Sequence, residues 1–256
     1  MSDLSIDLSM TPASEAVTIS EYKSVRYLHL GTDWVQGAMN LRQPDAISLE
    51  YVQQMMMWTL FNREPQHIVQ LGLGAAALTK FCYRHFPDAQ VTAIELNPDV
   101  IKICGASFAL PPNDDRLHVI EMDAIDFVKD PKNHGTVDIL QIDLYDADAR
   151  GPVFDSVEFY QACADCLTPD GIMTTNLFGD FLNHDQSLDK IDAVFDAVVW
   201  LPEVHDANIV AMAFKRSGEI DFKLLYQRAS AIRRSLDLPA KSWVDGLKVW
   251  MQERLT

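Results

Sequence analysis

The sequence predicts an α/β protein with a doubly wound, mostly parallel sheet and a small N-terminal antiparallel β-domain. Between residues 67 and 215, short apolar runs alternate with amphipathic helical stretches. This alternation is typical of folds in which helices cover both faces of a parallel sheet. Before it, residues 17–50 contain short β-like runs separated by polar or glycine positions, which favours a small antiparallel sheet.

The alternation resolves into individual elements. The predicted strands of the main sheet are 67–73, 89–96, 116–123, 137–145, 172–178, 198–204 and 208–215. The predicted helices are 50–61, 78–86, 97–108, 124–130, 157–167 and 190–198. Two further amphipathic helices are expected from residue 222 onwards, on either side of a break at Pro239.

Four segments follow from this pattern. They are a loose tail at 1–16, the β-domain at 17–50, a Rossmann-like domain at 51–218 and the C-terminal helices at 219–256. The tail is polar and acidic and lacks the basic and apolar regions of a signal peptide. Four scattered cysteines are too few for a disulfide framework. Both observations predict a protein of the reducing cytoplasm.

The chain is strongly acidic, with 37 Asp and Glu against 21 Lys and Arg and a net charge of -16. Such a surface repels nucleic acid and anionic membranes, so neither is expected as a partner. No apolar run approaches the roughly 18 residues of a membrane-spanning helix. The acidity is compatible with a cationic substrate such as a polyamine, or it serves only solubility.

A nucleoside site is predicted where the first strands end, because ligands of such sheets bind at the carboxyl ends of strands. Gly72 and Gly74 follow the first strand and permit a tight turn against a ligand. Glu95 lies 23 positions beyond Gly72, where Rossmann-type sites place an acid that binds ribose hydroxyls. Asp123 and the Ala124 amide follow the third strand and can bind adenine. The alternative is that these acids are merely exposed at strand ends.

A dinucleotide cofactor would prefer three glycines in the pattern GxGxxG, which binds its pyrophosphate. In this sequence Ala77 stands at the third glycine position. A single adenosine with an uncharged or cationic tail therefore fits better than a dinucleotide.

The loop after the fourth strand is dense in carboxylates, with Asp143, Asp146 and Asp148 within six residues. Such a loop can hold an ammonium group and can also remove its proton, which an amine must lose before it can attack. A metal site or a solvated loop are the alternatives. No histidine lies nearby, which disfavours a transition metal, while Mg²⁺ remains compatible. We assign no metal ligand.

Over roughly residues 25–215 the chain resembles the spermidine synthases, which are polyamine aminopropyltransferases. The resembling pieces, in matching order, are WVQGAMNL, EYVQQMM, the loop at Gly72, AIELNPDVI, RLHVIEMDAIDFV, QIDLYDADARGP, VEFYQACADCLTPDGI and WLPEV. The resemblance implies the fold of class I S-adenosylmethionine-dependent transferases. It also implies aminopropyl transfer from decarboxylated S-adenosylmethionine to a diamine such as putrescine, releasing methylthioadenosine.

The resemblance further implies roles for particular residues. Asp143 would be the general base, with Asp146 helping to hold the amine and Tyr145 beside them at the substrate. Gln36 would reach the nucleoside from the β-domain. Glu95 would bind the ribose and Asp123 the adenine. The nucleoside is a co-substrate, so no tightly bound cofactor is expected, and relatives of this kind are commonly homodimers or homotetramers.

The sequence also departs from the family pattern. The glycine loop of the family typically reads GGGDGG, and its aspartate, which binds the aminopropyl amine, is Ala75 here. A Tyr-Pro pair and a Trp common in the family are replaced by Val204, His205 and Ile209. Two alternatives therefore stay open. One is a methyltransferase that uses intact S-adenosylmethionine, and the other is a non-catalytic nucleoside- or polyamine-binding protein.

Overall fold

The computed structural model describes residues 16–145, 153–178, 181–201 and 208–254. These residues form a small and a large β-sheet. The small sheet is antiparallel and consists of β1 (Val17–Tyr22), β2 (Val25–Leu30) and β3 (Gly37–Asn40). It agrees with the predicted N-terminal β-domain in kind, although the third strand is shorter than the β-like run at 34–42.

The large sheet has seven strands in the order β6-β5-β4-β7-β8-β10-β9. They are β4 (His67–Leu71), β5 (Gln90–Glu95), β6 (Leu117–Glu121), β7 (Val137–Ile142), β8 (Leu167–Phe178), β9 (Ala197–Trp200) and β10 (Asn208–Phe214). Neighbouring strands are parallel from β6 through β8, whereas β10 is antiparallel to both of its neighbours. The predicted doubly wound, mostly parallel sheet is therefore confirmed.

Helices cover both faces of this sheet. They are α1 (Glu50–Gln54), α2 (Ala77–His85), α3 (Pro98–Ser107), α4 (Ala124–Lys129), α5 (Val157–Cys166), α6 (Phe181–Asp192), α7 (Phe222–Leu236) and α8 (Ala240–Arg254), with 3₁₀ turns at Met57–Leu60 and Pro131–Asn133. One apolar cluster joins α1, α2, α7 and α8 to one face of the sheet. A second joins α4, α5 and α6 to the other face. No helix in the described part of the chain is long and apolar enough to cross a bilayer.

The predicted helix at 50–61 is interrupted after Gln54. In a continuous α-helix the Met55 carbonyl would accept the Thr59 amide. Instead it accepts hydrogen bonds from the Gln141 and Thr174 side chains, and the Thr59 amide bonds to the Met56 carbonyl. The chain therefore continues as a 3₁₀ turn, and its methionines lie fully buried against the sheet.

Two strand boundaries also differ from the prediction. β8 begins at Leu167 rather than at 172, because Leu167 already pairs with Val137 before a bulge shifts the register to the Ile139–Ile172 pair. β9 ends at Trp200, although the prediction extended it to 204, and residues 202–204 lie outside the described part of the chain.

The small sheet contacts the large one through the start of β3. A Cβ added to Gly37 would lie 2.6 Å from the Ala75 backbone nitrogen and 2.7 Å from the Ala75 Cβ. A Cβ on Gly74 would lie 3.0 Å from the Gln36 carbonyl oxygen. β3 therefore packs directly on the loop after β4, and no side chain fits between them.

Gly37→Ala is expected to destabilise the protein by about 1–3 kcal/mol, since the added methyl group meets backbone and the sheet must move away. Gly105→Ala is the matched control, because Gly105 is helical and its added Cβ meets no atom within 4 Å. It should raise the free energy of unfolding by about 0.5–1 kcal/mol. Urea denaturation measures both, and an equal effect of the two variants would contradict the close approach.

Candidate active site

A cavity of about 770 Å³ opens at the carboxyl ends of the strands, between β4 and β7. The strand order reverses direction between these two strands, which is where ligands of doubly wound sheets bind. Eight of the nine residues predicted from sequence line this cavity: Gln36, Gly72, Gly74, Glu95, Asp123, Ala124, Asp143 and Tyr145. The ninth, Asp146, lies outside the described residues, as does Asp148.

Gly72 brings the ends of β4 and β7 together. Its φ is +93°, and a Cβ at this position would lie 2.2 Å from the Asp143 carbonyl oxygen. The Asp143 amide donates to the Leu71 carbonyl at 2.9 Å, so the two strands stay paired up to this point. Only glycine permits both the backbone conformation and the contact. The sharp turn leaves the space that the cavity occupies.

Glu95, the last residue of β5, faces the same space. Its carboxylate accepts the Leu73 amide at 3.0 Å and the Asn97 amide at 2.8 Å. Burial raises the pKa of this carboxyl group above its ordinary value, and the backbone amides oppose that rise. The two amides fix the orientation of the carboxylate beside the glycine loop.

Asp123 is the N-cap residue of α4. One oxygen of its carboxylate accepts the Ile125 amide at 2.9 Å, while the side chain also lines the cavity. Ala124 begins the helix, where backbone amides have no partner within the helix itself. A capping carboxylate and an adjacent amide thus lie at one point of the cavity wall.

Asp143, the residue after β7, is held by two donors. Asn176 Nδ2 donates to Oδ1 at 3.0 Å, and the Tyr51 hydroxyl donates to Oδ2 at 3.3 Å. Burial raises the pKa of Asp143 from 3.8 to about 6, and both hydrogen bonds act in the opposite direction. The result is a carboxylate that exchanges protons near neutral pH at the surface of a cavity.

Tyr51 and Asn176 are functional candidates that sequence reasoning missed. Tyr51 lies within the EYVQQMM segment, but its place beside Asp143 depends on how α1 packs across the sheet. Asn176 could have been found, because it lies near the carboxyl end of a strand that neighbours β7. Tyr145 is predicted, and its hydroxyl donates to the Asn176 carbonyl at 2.7 Å, so its ring forms part of the wall.

The described wall of the cavity is acidic. Its charged side chains are Asp33, Glu50, Glu95, Asp123 and Asp143, and no Lys, Arg or His is among the described lining residues. Acidic side chains that line a concave site with walls of low dielectric constant focus the electric field there and attract cations. The described part of the wall is thus suited to a cationic ligand.

Ala75, where the resembling family has an aspartate, does not line the cavity. It is 2% exposed and packs on Gly37. Ile209 is buried in β10 opposite Leu177, while Val204 and His205 lie outside the described residues. A cationic group in this cavity therefore has no acid from the glycine loop as partner.

Comparison with known proteins agrees with this geometry. Residues 50–221, two thirds of the chain, match the model of the spermine/spermidine synthase domain. A polyamine aminopropyltransferase of Chromobacterium violaceum is 32% identical over 94% of this chain and 94% of its own.

Solved structures confirm the fold. A probable spermidine synthase from Corynebacterium glutamicum superposes with a TM-score of 0.72 at 19% identity, covering 92% of both chains. Human methyltransferase-like protein 13, solved with SAH, superposes with a TM-score of 0.67 at 22% identity and covers 74% of this chain and 93% of its own. The fold is thus shared by two kinds of transferase, whereas the family model and the sequence identity distinguish between them. The chain belongs to the spermine/spermidine synthase family.

Proposed function

We propose that this protein transfers an aminopropyl group from decarboxylated S-adenosylmethionine to an amine acceptor such as putrescine. The observation that carries the proposal is Asp143, a carboxylate with a raised pKa at the surface of an acidic cavity. Family membership and a relative named polyamine aminopropyltransferase support the same reaction.

The nucleoside would bind at the glycine loop. Glu95 accepts hydrogen bonds from the ribose hydroxyls, in an orientation that the Leu73 and Asn97 amides fix. Asp123 and the Ala124 amide meet the amine and a ring nitrogen of adenine. Gly72 and Gly74 allow the backbone to approach, and Gln36 reaches the nucleoside from the β-domain. A neutral adenosine suits this wall.

Asp143 would act as the general base. The acceptor enters as an ammonium ion, which cannot attack until it loses a proton. Raising the pKa of Asp143 to about 6 narrows its difference from that of an amine and eases this transfer. The neutral nitrogen then attacks the aminopropyl carbon next to the sulfonium, the carbon–sulfur bond breaks, and methylthioadenosine leaves with the bonding pair. Alignment of the two reactants supplies much of the rate.

Tyr145 forms the wall on which the carbon chain of the acceptor rests, and Asp146 is proposed as a second acid for the amine. Ala75 leaves the aminopropyl amine without the usual aspartate, so Asp33 and Glu50 are the acids within the described cavity that we propose replace it. The aminopropyl group of the donor is consequently held by an arrangement that differs from the family pattern.

A methyltransferase that uses intact S-adenosylmethionine is the second candidate, favoured by Ala75 and by the fold shared with methyltransferase-like protein 13. The carboxylate of intact S-adenosylmethionine would enter a cavity whose described charged groups are all acidic. Like charges in a site of low dielectric repel strongly, which disfavours this candidate.

We also infer a homodimeric or homotetrameric protein of the cytoplasm. All four cysteines are free and buried, as suits a reducing compartment. The edge strand β1 exposes Ile19 and Tyr22, which a second copy could cover. Sedimentation velocity should show a species of at least twice the 28.9 kDa chain mass, and a monomer at micromolar concentration would contradict the inference.

Asp143→Asn is expected to lower kcat by about 10²–10⁴-fold, the usual contribution of a general base, while methylthioadenosine binding changes by less than about twofold. In the wild type, kcat should rise as pH increases through about 6, because only the ionised carboxylate accepts a proton. Asp138→Asn, at the opposite end of β7, is the control and should retain activity. Full activity of Asp143→Asn would rule out this base.

Asp143→Asn should also stabilise the fold. The pKa of Asp143 in the folded protein, about 6, exceeds the ordinary value of 3.8, so folding opposes ionisation of this carboxyl group. The wild type therefore loses free energy of unfolding as the pH rises from about 4 to 6. Above about pH 6 the variant should gain roughly 1–3 kcal/mol in free energy of unfolding, and below about pH 4 the gain should vanish.

Asp114→Asn is the control for this measurement, because its expected change in free energy of unfolding has the opposite sign. The Tyr83 hydroxyl and the Arg116 and Leu117 amides lower the pKa of Asp114 to about 2, so that variant should lose stability at neutral pH. Urea denaturation across the pH range measures both variants. A loss of stability in Asp143→Asn at about pH 8 would contradict the raised pKa.

A further inference from the structure

Two neighbouring strands carry matched pairs of polar side chains on one face of the sheet. Gln141 on β7 pairs in register with Thr174 on β8. Asp143 lies two residues after Gln141, and Asn176 lies two residues after Thr174. The side chains of Asp143 and Asn176 hydrogen-bond to each other at 3.0 Å. Side chains two positions apart on a strand share a face. Gln141 and Thr174 therefore form a row directly behind Asp143 and Asn176.

The rear row binds the end of α1. Gln141 Nε2 donates to the Met55 carbonyl at 3.1 Å, and Thr174 Oγ1 donates to the same oxygen at 3.2 Å. Gln70 Nε2 donates to Gln141 Oε1 at 3.1 Å, and Thr79 Oγ1 donates to Gln70 Oε1 at 2.7 Å. All four side chains are at most 1% exposed, so their hydrogen bonds face no competition from water.

This attachment determines where Tyr51 lies. The Met55 amide donates to the Tyr51 carbonyl at 2.9 Å, which places the two residues one helical turn apart. α1 has only five residues, and no side-chain hydrogen bond caps its N-terminus at Leu49. A helix this short does not hold its own position. The tie at Met55 is thus a polar anchor that connects the turn carrying Tyr51 to the sheet.

We propose that Gln141 and Thr174 are positioning residues that hold the Tyr51 hydroxyl against the Asp143 carboxylate. Because Gln141 and Asp143 belong to the same strand end, the anchor and the base share one rigid frame. A closed circuit results, which runs from Asp143 along the backbone to Gln141, across to Met55, up one turn to Tyr51 and back to Asp143. The importance of the circuit for the reaction rests on the proposed function, but its geometry does not.

The circuit has a measurable consequence. The hydrogen bond from Tyr51 lowers the pKa of Asp143 against the effect of burial, so loosening α1 should raise that pKa. The other titratable groups that line the cavity around Asp143 are Glu50 of α1, Tyr145, Glu95, Asp123 and Asp33. In the hydrogen bonds of the described residues, none of these groups contacts Gln141 or Thr174. Substituting Gln141 or Thr174 should therefore change the pKa of Asp143 through Tyr51.

The test is a carboxyl-carbon NMR titration of aspartate-labelled protein, with the Asp143 signal assigned by its loss in Asp143→Asn. Tyr51→Phe should raise the pKa of Asp143 by about 1–2 units, the value of a hydrogen bond to a charged group. Thr174→Val, which keeps the shape, and Gln141→Met, which keeps the length, should each raise it by about 0.5 unit or more. In the Tyr51→Phe background the same two substitutions should add nothing.

Thr92→Val is the matched control, because Thr92 is a buried threonine of β5 whose hydroxyl pairs with His67 and not with α1. It should leave the pKa of Asp143 unchanged. The proposal fails if Thr174→Val shifts the pKa no more than Thr92→Val, or if the shift persists fully in the Tyr51→Phe background. The titration needs no substrate, so an inactive wild type would contradict the proposed function and leave this test intact. Where activity is present, the acid limb of the kcat profile should move by the same amount.

Discussion

The contact between Gly72 and the Asp143 carbonyl is the constraint on which the site depends. It closes the ends of β4 and β7 to a distance that excludes any side chain, at the point where the order of the sheet reverses. The cavity opens at this point, lined by Gly72 and Gly74 of the glycine loop and by Asp143, Leu144 and Tyr145 after β7. The glycine loop and the Asp143 carboxylate therefore face one cavity as a result of one close approach.

A carboxylate in the position of Asp143 destabilises the fold. A carboxylate buried beside apolar groups favours its neutral form, and the two donors from Tyr51 and Asn176 offset only part of that cost. The fold retains a group that weakens it, which is common where catalysis requires a perturbed pKa. The donors come from a short helix and a neighbouring strand, so the position of the Asp143 carboxylate depends on how α1 and β8 pack beside β7.

The sequence predicts the sheet and much of the cavity wall, because alternation of apolar runs is a local pattern and parallel strands gather their ends at one edge. Gly72, Glu95, Asp123 and Asp143 each follow or end such a run. The interruption after Gln54 could not be predicted, since its cause is the capture of the Met55 carbonyl by side chains more than 80 residues away. For the same reason Tyr51 could not be assigned to Asp143. The sequence shows that Ala75 departs from the family pattern, but its burial under Gly37 depends on the packing of the β-domain.

Charge separates the two transferase chemistries that this fold supports. The described cavity offers carboxylates and no cation, so a sulfonium nucleoside that lacks a carboxylate suits it better than one that retains it. Calorimetric titration of the protein with decarboxylated S-adenosylmethionine, intact S-adenosylmethionine and methylthioadenosine tests this most directly. We expect the decarboxylated form to bind at least about tenfold more tightly than the intact form, a difference of about 1.4 kcal/mol. Equal or tighter binding of intact S-adenosylmethionine, or no binding of any of the three, would contradict aminopropyl transfer.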